Sequence, residues 1–337
     1  MINGHGDNIY DYGGKVLHNF SSNVFPAMQP AGLVDCVRNA AGRIGNYPPA
    51  NLSRQEKRLA AVLGVEPEHL MVTNGATEAI YLVASVADDS DHFIIQPTFS
   101  EYEDALTVNG RRCHLLSDFR EARFRYGTLW MCNPNNPTGT TVDADDIRQW
   151  RIRYNGWMVL DQSYDFFTMQ QTVSAAEAAA MDNTILINSM TKRFAIPGLR
   201  LGYIICGDNN MMKKIRSKCI PWRINTLSLA ALDYLIEHWY DTASAASMMM
   251  AETRRLHAML NSIPGITALP TATHFFLVNI GLADCHELSA KLMSRYGILV
   301  RCADNFRGLD NHFIRISTQT PEENDILVKA IEECISQ

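Results

Sequence analysis

A chain of 337 residues that is 47% hydrophobic and 20% charged is an ordinary globular composition, long enough to bury one large or two medium cores without disulfides or metals. Its net charge of −6 argues against nucleic acid or an anionic membrane as a partner. No apolar run is long enough to cross a bilayer, and the opening MINGHGDNIYDYGG lacks the apolar core of a signal peptide, so a cytoplasmic location is expected.

In chain order, Ser53 and Glu56 have capping-box spacing for a helix through Leu63, which Gly64 ends. His69–Thr73 reads as a buried strand, followed by a helix over Ala76–Ala87. Further short apolar strands are expected at His92–Gln96, Arg112–Leu116, Thr128–Cys132, Trp157–Asp161, Thr184–Ser189 and Leu201–Cys206. Strands of this kind separated by helices imply an α/β fold with a mostly parallel sheet covered on both faces. One long helical region is expected from Thr226 to Asn261. Beyond it, strands at Phe275–Ile280, Ile298–Arg301 and Phe313–Ser317 and helices at Asp284–Tyr296 and Pro321–Ile335 suggest a smaller α+β domain. The N-terminal segment has no obvious place in the large sheet and is assigned to the small domain. The expected division is therefore 45–255 for a large domain and 1–44 together with 256–337 for a small one. The eight cysteines include no CxxC pair, and there is no HExxH, so buried free thiols and no metal are expected.

In open α/β sheets ligands bind beyond the carboxyl ends of the strands. After the first strand comes Asn74-Gly75-Ala76-Thr77, a glycine turn opening a helix, which suits a phosphate. After Thr128–Cys132 comes NPNNPTG, with Asn136 inside it; Asp161 ends the next strand, and Tyr164 follows it. Ser189 ends another strand, with Lys192 three residues on and Arg200 eight further. Each has an ordinary reading alone: a loop, a helix cap, a solvated lysine. Together they describe a phosphate seat, a hydrogen-bonding asparagine and tyrosine, a carboxylate and an imine-forming lysine. Pyridoxal phosphate needs this set, because its protonated ring nitrogen wants a carboxylate beside it.

The segments NGATE, NPNNPTG, LDQSY and SMTKRFAIPGLRLGY resemble the class I/II aminotransferases, pyridoxal-phosphate enzymes of fold type I. The order and spacing fit from Tyr47 to Arg315. The resemblance implies that Lys192 holds the cofactor covalently and moves the proton at Cα. It implies that Asp161 pairs with the ring nitrogen and that Asn136 and Tyr164 bond the 3′ oxygen. Ala76, Thr77, Ser189 and Arg200 would hold the phosphate, and Phe99 would stack on the ring, its ordinary reading being a plain core phenylalanine. Tyr47 would reach the phosphate of a neighbouring subunit, implying a homodimer. Arg315 would grip the substrate α-carboxylate by a bidentate pair.

Within the family, the similarity is greatest to histidinol-phosphate aminotransferases and to L-threonine-O-3-phosphate decarboxylases of cobalamin synthesis. His5-Gly6-Asp7-Asn8 and Phe20-Ser21-Ser22-Asn23 tilt the reading to the decarboxylases, whose opening motif is commonly HGGN. His5, Asn23 and Arg301 would then join Arg315 around a phosphorylated amino acid. Arg301 reads equally as a strand-end surface charge. Asp7 stands where the motif has glycine and is expected to point away from an anionic substrate. The alternatives are an aminotransferase and, outside enzymes, a cofactor-sensing regulator. Regulators of this fold usually carry an N-terminal DNA-binding domain, and the residues before Tyr47 lack a helix-turn-helix pattern.

Overall fold

The computed structural model describes residues 6–7, 9–124 and 126–335. Seven strands form the large sheet: β1 (Leu70–Thr73), β2 (Asp91–Ile95), β3 (Cys113–Leu116), β4 (Gly127–Cys132), β5 (Trp157–Asp161), β6 (Thr184–Ser189) and β7 (Gly202–Ile205). Their order is β1-β7-β6-β5-β4-β2-β3. The run β6-β5-β4-β2-β3 is parallel, and β7 lies antiparallel between β6 and β1. Successive strand residues point to opposite faces, and both faces are buried. Met158 and Leu160 join one core with Leu129, Met131 and Leu186. Val159 joins the other with Trp130, Ile185 and Ile187. This is the α/β architecture expected from the short, continuously apolar strands.

A four-stranded antiparallel sheet follows, with β8 (Thr267–Ala268), β9 (Phe275–Asn279), β10 (Arg301–Cys302) and β11 (Phe313–Ser317) in the order β10-β11-β9-β8. It packs with helices Cys285–Tyr296 and Pro321–Ile335 around a second core. The expected strand 298–301 is in fact two pieces. Ile298–Leu299 pairs in parallel with His18–Asn19, whereas Arg301–Cys302 pairs with β11. Residues 17–20 are thereby tied beside the small sheet, with Phe20 adding backbone bonds to Leu299 and Ser317, whereas Leu33 of the helix Leu33–Ala40 packs into the large core. Among the described residues no helix is long and apolar enough to cross a membrane.

Two expectations fail for physical reasons. Ser53 and Glu56 do not form a capping box: Leu52 is the N-cap, and no side chain caps the helix Ser53–Leu63. Glu56 instead turns inward, accepting from Val72 N at 3.0 Å and from Arg216 at 2.9 Å, so its carboxylate serves tertiary structure. The long helix is two, Thr226–Glu237 and Ala243–Leu260. The break lies at Trp239, which is buried. Its carbonyl accepts from Arg193 Nη2 at 2.8 Å, and the Arg193 guanidinium sits 4.3 Å from its ring. A carbonyl and ring committed to Arg193 outweigh helical continuity there.

Candidate active site

The strand register gathers the polar residues at one edge. Cys132 pairs with Asp161, and Asp161 with Ile187, so the ends of β4, β5 and β6 lie side by side. Gly202 pairs with both Ser189 and Thr73, bringing the turn after β1 to the same place. There lies a cavity of about 580 Å³, a volume suited to a cofactor with a small substrate. It is lined by Ala76, Thr77, Phe99, Asn136, Asp161, Tyr164, Ser189, Lys192, Arg200 and Arg315, with Asn23 entering from the N-terminal segment.

Arg200 follows a short 3-10 turn and has φ +52°, a left-handed conformation that costs a non-glycine residue roughly 1–3 kcal/mol. Its guanidinium lies against the start of the helix Gly75–Val86. Gly75 has φ +78°, and a Cβ there would stand 2.7 Å from Arg200 Nη2. Glycine suits the positive φ, and its missing Cβ lets the guanidinium approach without shifting. Burial pulls the Arg200 pKa down, and among the described residues no carboxylate offsets it. A half-buried cation over a helix N-terminus is a seat for an anion such as a phosphate.

Asp161 is buried. It accepts from Tyr102 OH at 2.8 Å and from Ser163 through Oγ at 2.6 Å and N at 2.9 Å. Burial raises its pKa, and these three bonds only partly oppose that; among the described residues no cation pairs with the carboxylate. Lys192 stands in the short helix Met190–Arg193 after β6. Burial of its amine, then the nearby Arg315, hold its pKa down to about 8, against the pull of the Asp7 carboxylate. It is a lysine whose uncharged, nucleophilic form is accessible near neutral pH.

Arg315 is buried and donates from Nη1 to Asn136 Oδ1 at 2.6 Å and from Nη2 to the Ser21 carbonyl. Among the described residues, its Nε and the Asn23 Oδ1 are buried with no hydrogen-bond partner. Asn23 Nδ2 donates to Tyr164 OH at 3.2 Å. Arg301 lies directly opposite Arg315 across β10 and β11. It borders a smaller recess that shares Gly6, Phe99, Asn136 and Arg315 with the surroundings of the cavity, and it donates to Asn305 Oδ1 at 2.7 Å.

Tyr47 does not line the cavity of its own chain; it is 83% exposed, with its ring 5.0 Å from Trp222. His5 lies outside the described residues, as does Asn8. Asp7 does not point away. It lines the cavity at φ +70°, held by Asn19 Nδ2 at 2.5 Å, because its backbone N–H donates to Ser21 Oγ and turns the residue inward. Sequence reasoning passed over Tyr102 and Ser163, which set the Asp161 carboxylate. It also passed over His274, whose ring lies 6.0 Å from that of Tyr164 and whose Nε2 is 3.3 Å from the Asn23 carbonyl oxygen. Burial holds the His274 pKa down to about 3, so it is a neutral prop behind Tyr164.

The family model of aminotransferase class I and II matches residues 15–331. The threonine-phosphate decarboxylase of Salmonella typhimurium is 26% identical over 95% of this chain and 92% of its own length. The histidinol-phosphate aminotransferase of Hydrogenobaculum sp. is 29% identical over 90% of this chain and 88% of its own. Among solved structures, the L-threonine-O-3-phosphate decarboxylase of Porphyromonas gingivalis matches with a TM-score of 0.91 at 30% identity, covering 95% of this chain and 100% of the other.

Proposed function

Because the chain belongs to aminotransferase class I and II, we propose that it is a cytoplasmic pyridoxal-phosphate enzyme working at the α-carbon of a phosphorylated amino acid, with a decarboxylation of the L-threonine-O-3-phosphate kind as its reaction. The residues present fit the cofactor. Arg200, unopposed by a carboxylate, with Ser189 and the backbone of Ala76 and Thr77, suits its phosphate. Asp161, buried and without a cation, suits a protonated ring nitrogen. Phe99 would lie against the ring, and Asn136 and Tyr164 would bond its 3′ oxygen. Bound, the cofactor supplies an electron sink for the pair left at the substrate α-carbon. Lys192 holds it and carries the proton to and from that carbon. Residues 45–255 would form the body that holds the cofactor, and residues 1–44 with 256–337 the part that covers it.

The observation that carries the substrate class is the Arg301–Arg315 pair. Like charges directly opposite on neighbouring strands are unfavourable; burial is what chiefly pulls the Arg315 pKa down to about 10, and Arg301 adds to it, against the pull of Tyr164 and Asp7. An anion with two charged ends, one for each guanidinium, would offset that repulsion. Arg315 takes the α-carboxylate and Arg301 the phosphate. A charge-assisted bond to phosphate is worth about 1.5–3 kcal/mol, so Arg301→Ala is expected to lower kcat/KM for phosphorylated substrates by roughly 10- to 150-fold. It should change kcat/KM for unphosphorylated analogues little; equal losses in the two series would make Arg301 a structural residue.

Asp7 favours a second reading, an aminotransferase of the histidinol-phosphate kind. A carboxylate in the cavity repels a compact substrate of two anionic groups but can accept from an imidazole N–H. Purified protein given L-threonine phosphate should release carbon dioxide. Given L-glutamate and a phosphorylated imidazole keto partner, it should form no 2-oxoglutarate. The opposite outcome selects the second reading.

A homodimer is part of this proposal. Tyr47, Trp222, Ile44 and Ile220 are large apolar side chains left exposed on one chain, as expected if Tyr47 reaches a partner's phosphate. Sedimentation should therefore give a dimer, and a fully active monomer would remove Tyr47 from the site.

A further inference from the structure

Away from the cavity, the start of the helix Cys285–Tyr296 meets β10. Cys285 Sγ, a ring nitrogen of His286 and Cys302 Sγ all lie within 4.8 Å of one another. Cys285 is buried in the small core, Cys302 is half-buried against it, and His286 is exposed. The group is thus dry on the sulfur side and open to solvent on the imidazole side. Its members come from two elements, so no CxxC spacing announces it. Zinc–sulfur bonds of about 2.3 Å and zinc–nitrogen bonds of about 2.0 Å put tetrahedral ligand atoms roughly 3.5–3.8 Å apart. Small side-chain rotations would bring three atoms already within 4.8 Å to that spacing.

A second observation concerns the imidazole. His286 Nε2 is 2.8 Å from Asp304 Oδ2. A metal-bound histidine usually gives its other ring N–H to a carboxylate, which fixes the tautomer and makes the ligand more basic. Asp304 would stand in that relation to His286 with Nδ1 as the metal-facing atom. The helix start is itself held: Asp284 caps His286 N and Glu287 N and accepts from Asn311 Nδ2 at 2.6 Å, and Cys285 N donates to the Asn311 carbonyl at 2.8 Å. Cys302 is fixed opposite Ile314 by the β10–β11 ladder. The donors are therefore set by two anchored pieces of backbone, as a built site requires.

We propose that Cys285, His286 and Cys302 bind one thiophilic divalent cation of the zinc type, with Asp304 orienting the imidazole and solvent completing the coordination. The cation takes no part in the reaction. It joins β10 to the helix at the turn 301–306, where Arg301 donates to Asn305. Neighbouring strand residues face opposite ways, so pinning Cys302 on one side also steadies Arg301 on the other.

The test uses the full chain, freed of metal with a chelator and titrated with Co²⁺. A thiolate-to-cobalt charge-transfer band should grow to a single equivalent and disappear when a single equivalent of Zn²⁺ is added. Cys302→Ser should remove the band, and Cys36→Ser should leave it intact. Asp304→Asn should weaken the affinity about 10- to 100-fold. Cys285 is buried and its replacement can disturb folding, so His286→Asn, at an exposed position, gives an independent loss of affinity. Absence of the band, a band unchanged in Cys302→Ser, or a Cys285–Cys302 disulfide in freshly isolated metal-free protein would each overturn the proposal.

Discussion

Lys192→Ala is expected to lower kcat by roughly 10⁴-fold, the upper end of what a positioned proton carrier contributes, while the chain still folds. The protonation state of the amine governs both its reactivity and its cost to folding. A free lysine titrates near 10.4, whereas burial and Arg315 bring Lys192 down to about 8. Below that pH the amine is mostly charged and cannot attack a carbonyl. The rate at which cofactor-free protein captures pyridoxal phosphate should therefore climb with pH and level off above about 8. Borohydride trapping and peptide mapping should place the label on Lys192, and a label on another lysine would undo the assignment. The stability sign runs the other way. The folded pKa lies below the unfolded one, so the penalty is full below about 8 and fades as pH rises towards the unfolded value. Cofactor-free Lys192→Ala should accordingly melt no lower than the parent at neutral pH, which separates loss of chemistry from loss of fold.

The parts of this molecule legible in the sequence are those where one local rule dominates. β5 and β6 fall at the expected residues because short apolar runs ending in Asp161 and Ser189 have few alternatives to a buried strand. Ala76, Thr77, Asn136, Asp161, Tyr164, Ser189, Lys192 and Arg200 could be listed in advance because an open parallel sheet puts its strand ends on one edge, whereas Phe99, Asn23 and Arg315 rested on the family resemblance. What stayed hidden depends on partners far away in the chain. Tyr102 sits in the helix Glu101–Val108, and nothing local says that its hydroxyl meets Asp161. Glu56 has the spacing of a cap and is taken by Val72 and Arg216 instead. The Cys285–His286–Cys302 group exists only because β10 runs past the helix start. Asp7 is the most instructive case. Like-charge repulsion from an anionic substrate favours an outward carboxylate, but a single backbone bond to Ser21 and the grip of Asn19 turn it in.

Asp161→Asn is expected to lower kcat by about 10²–10³-fold, the scale of removing one preorganised electrostatic contact from a reacting centre. The substitution keeps the size of the side chain. An amide can still accept from Ser163 at one atom and meet Tyr102 OH at the other, so the pocket should hold its shape. What it loses is the charge. A ring nitrogen beside an amide is not held protonated, and the electrons released at the substrate α-carbon then have a poorer destination. The pKa of Asp161 supplies an independent check. Burial raises it above the usual carboxylate range, so in cofactor-free protein the ionised form is disfavoured by folding. That penalty is absent below the unfolded pKa of about 3.9 and grows as pH rises towards the folded value. Cofactor-free Asp161→Asn should therefore melt at or above the parent at pH 7, while its cofactor-bound form gains less stability from the ligand. Calorimetry with and without pyridoxal phosphate reads both terms. Unchanged turnover together with unchanged ligand stabilisation would show that the carboxylate serves Tyr102 and Ser163 alone.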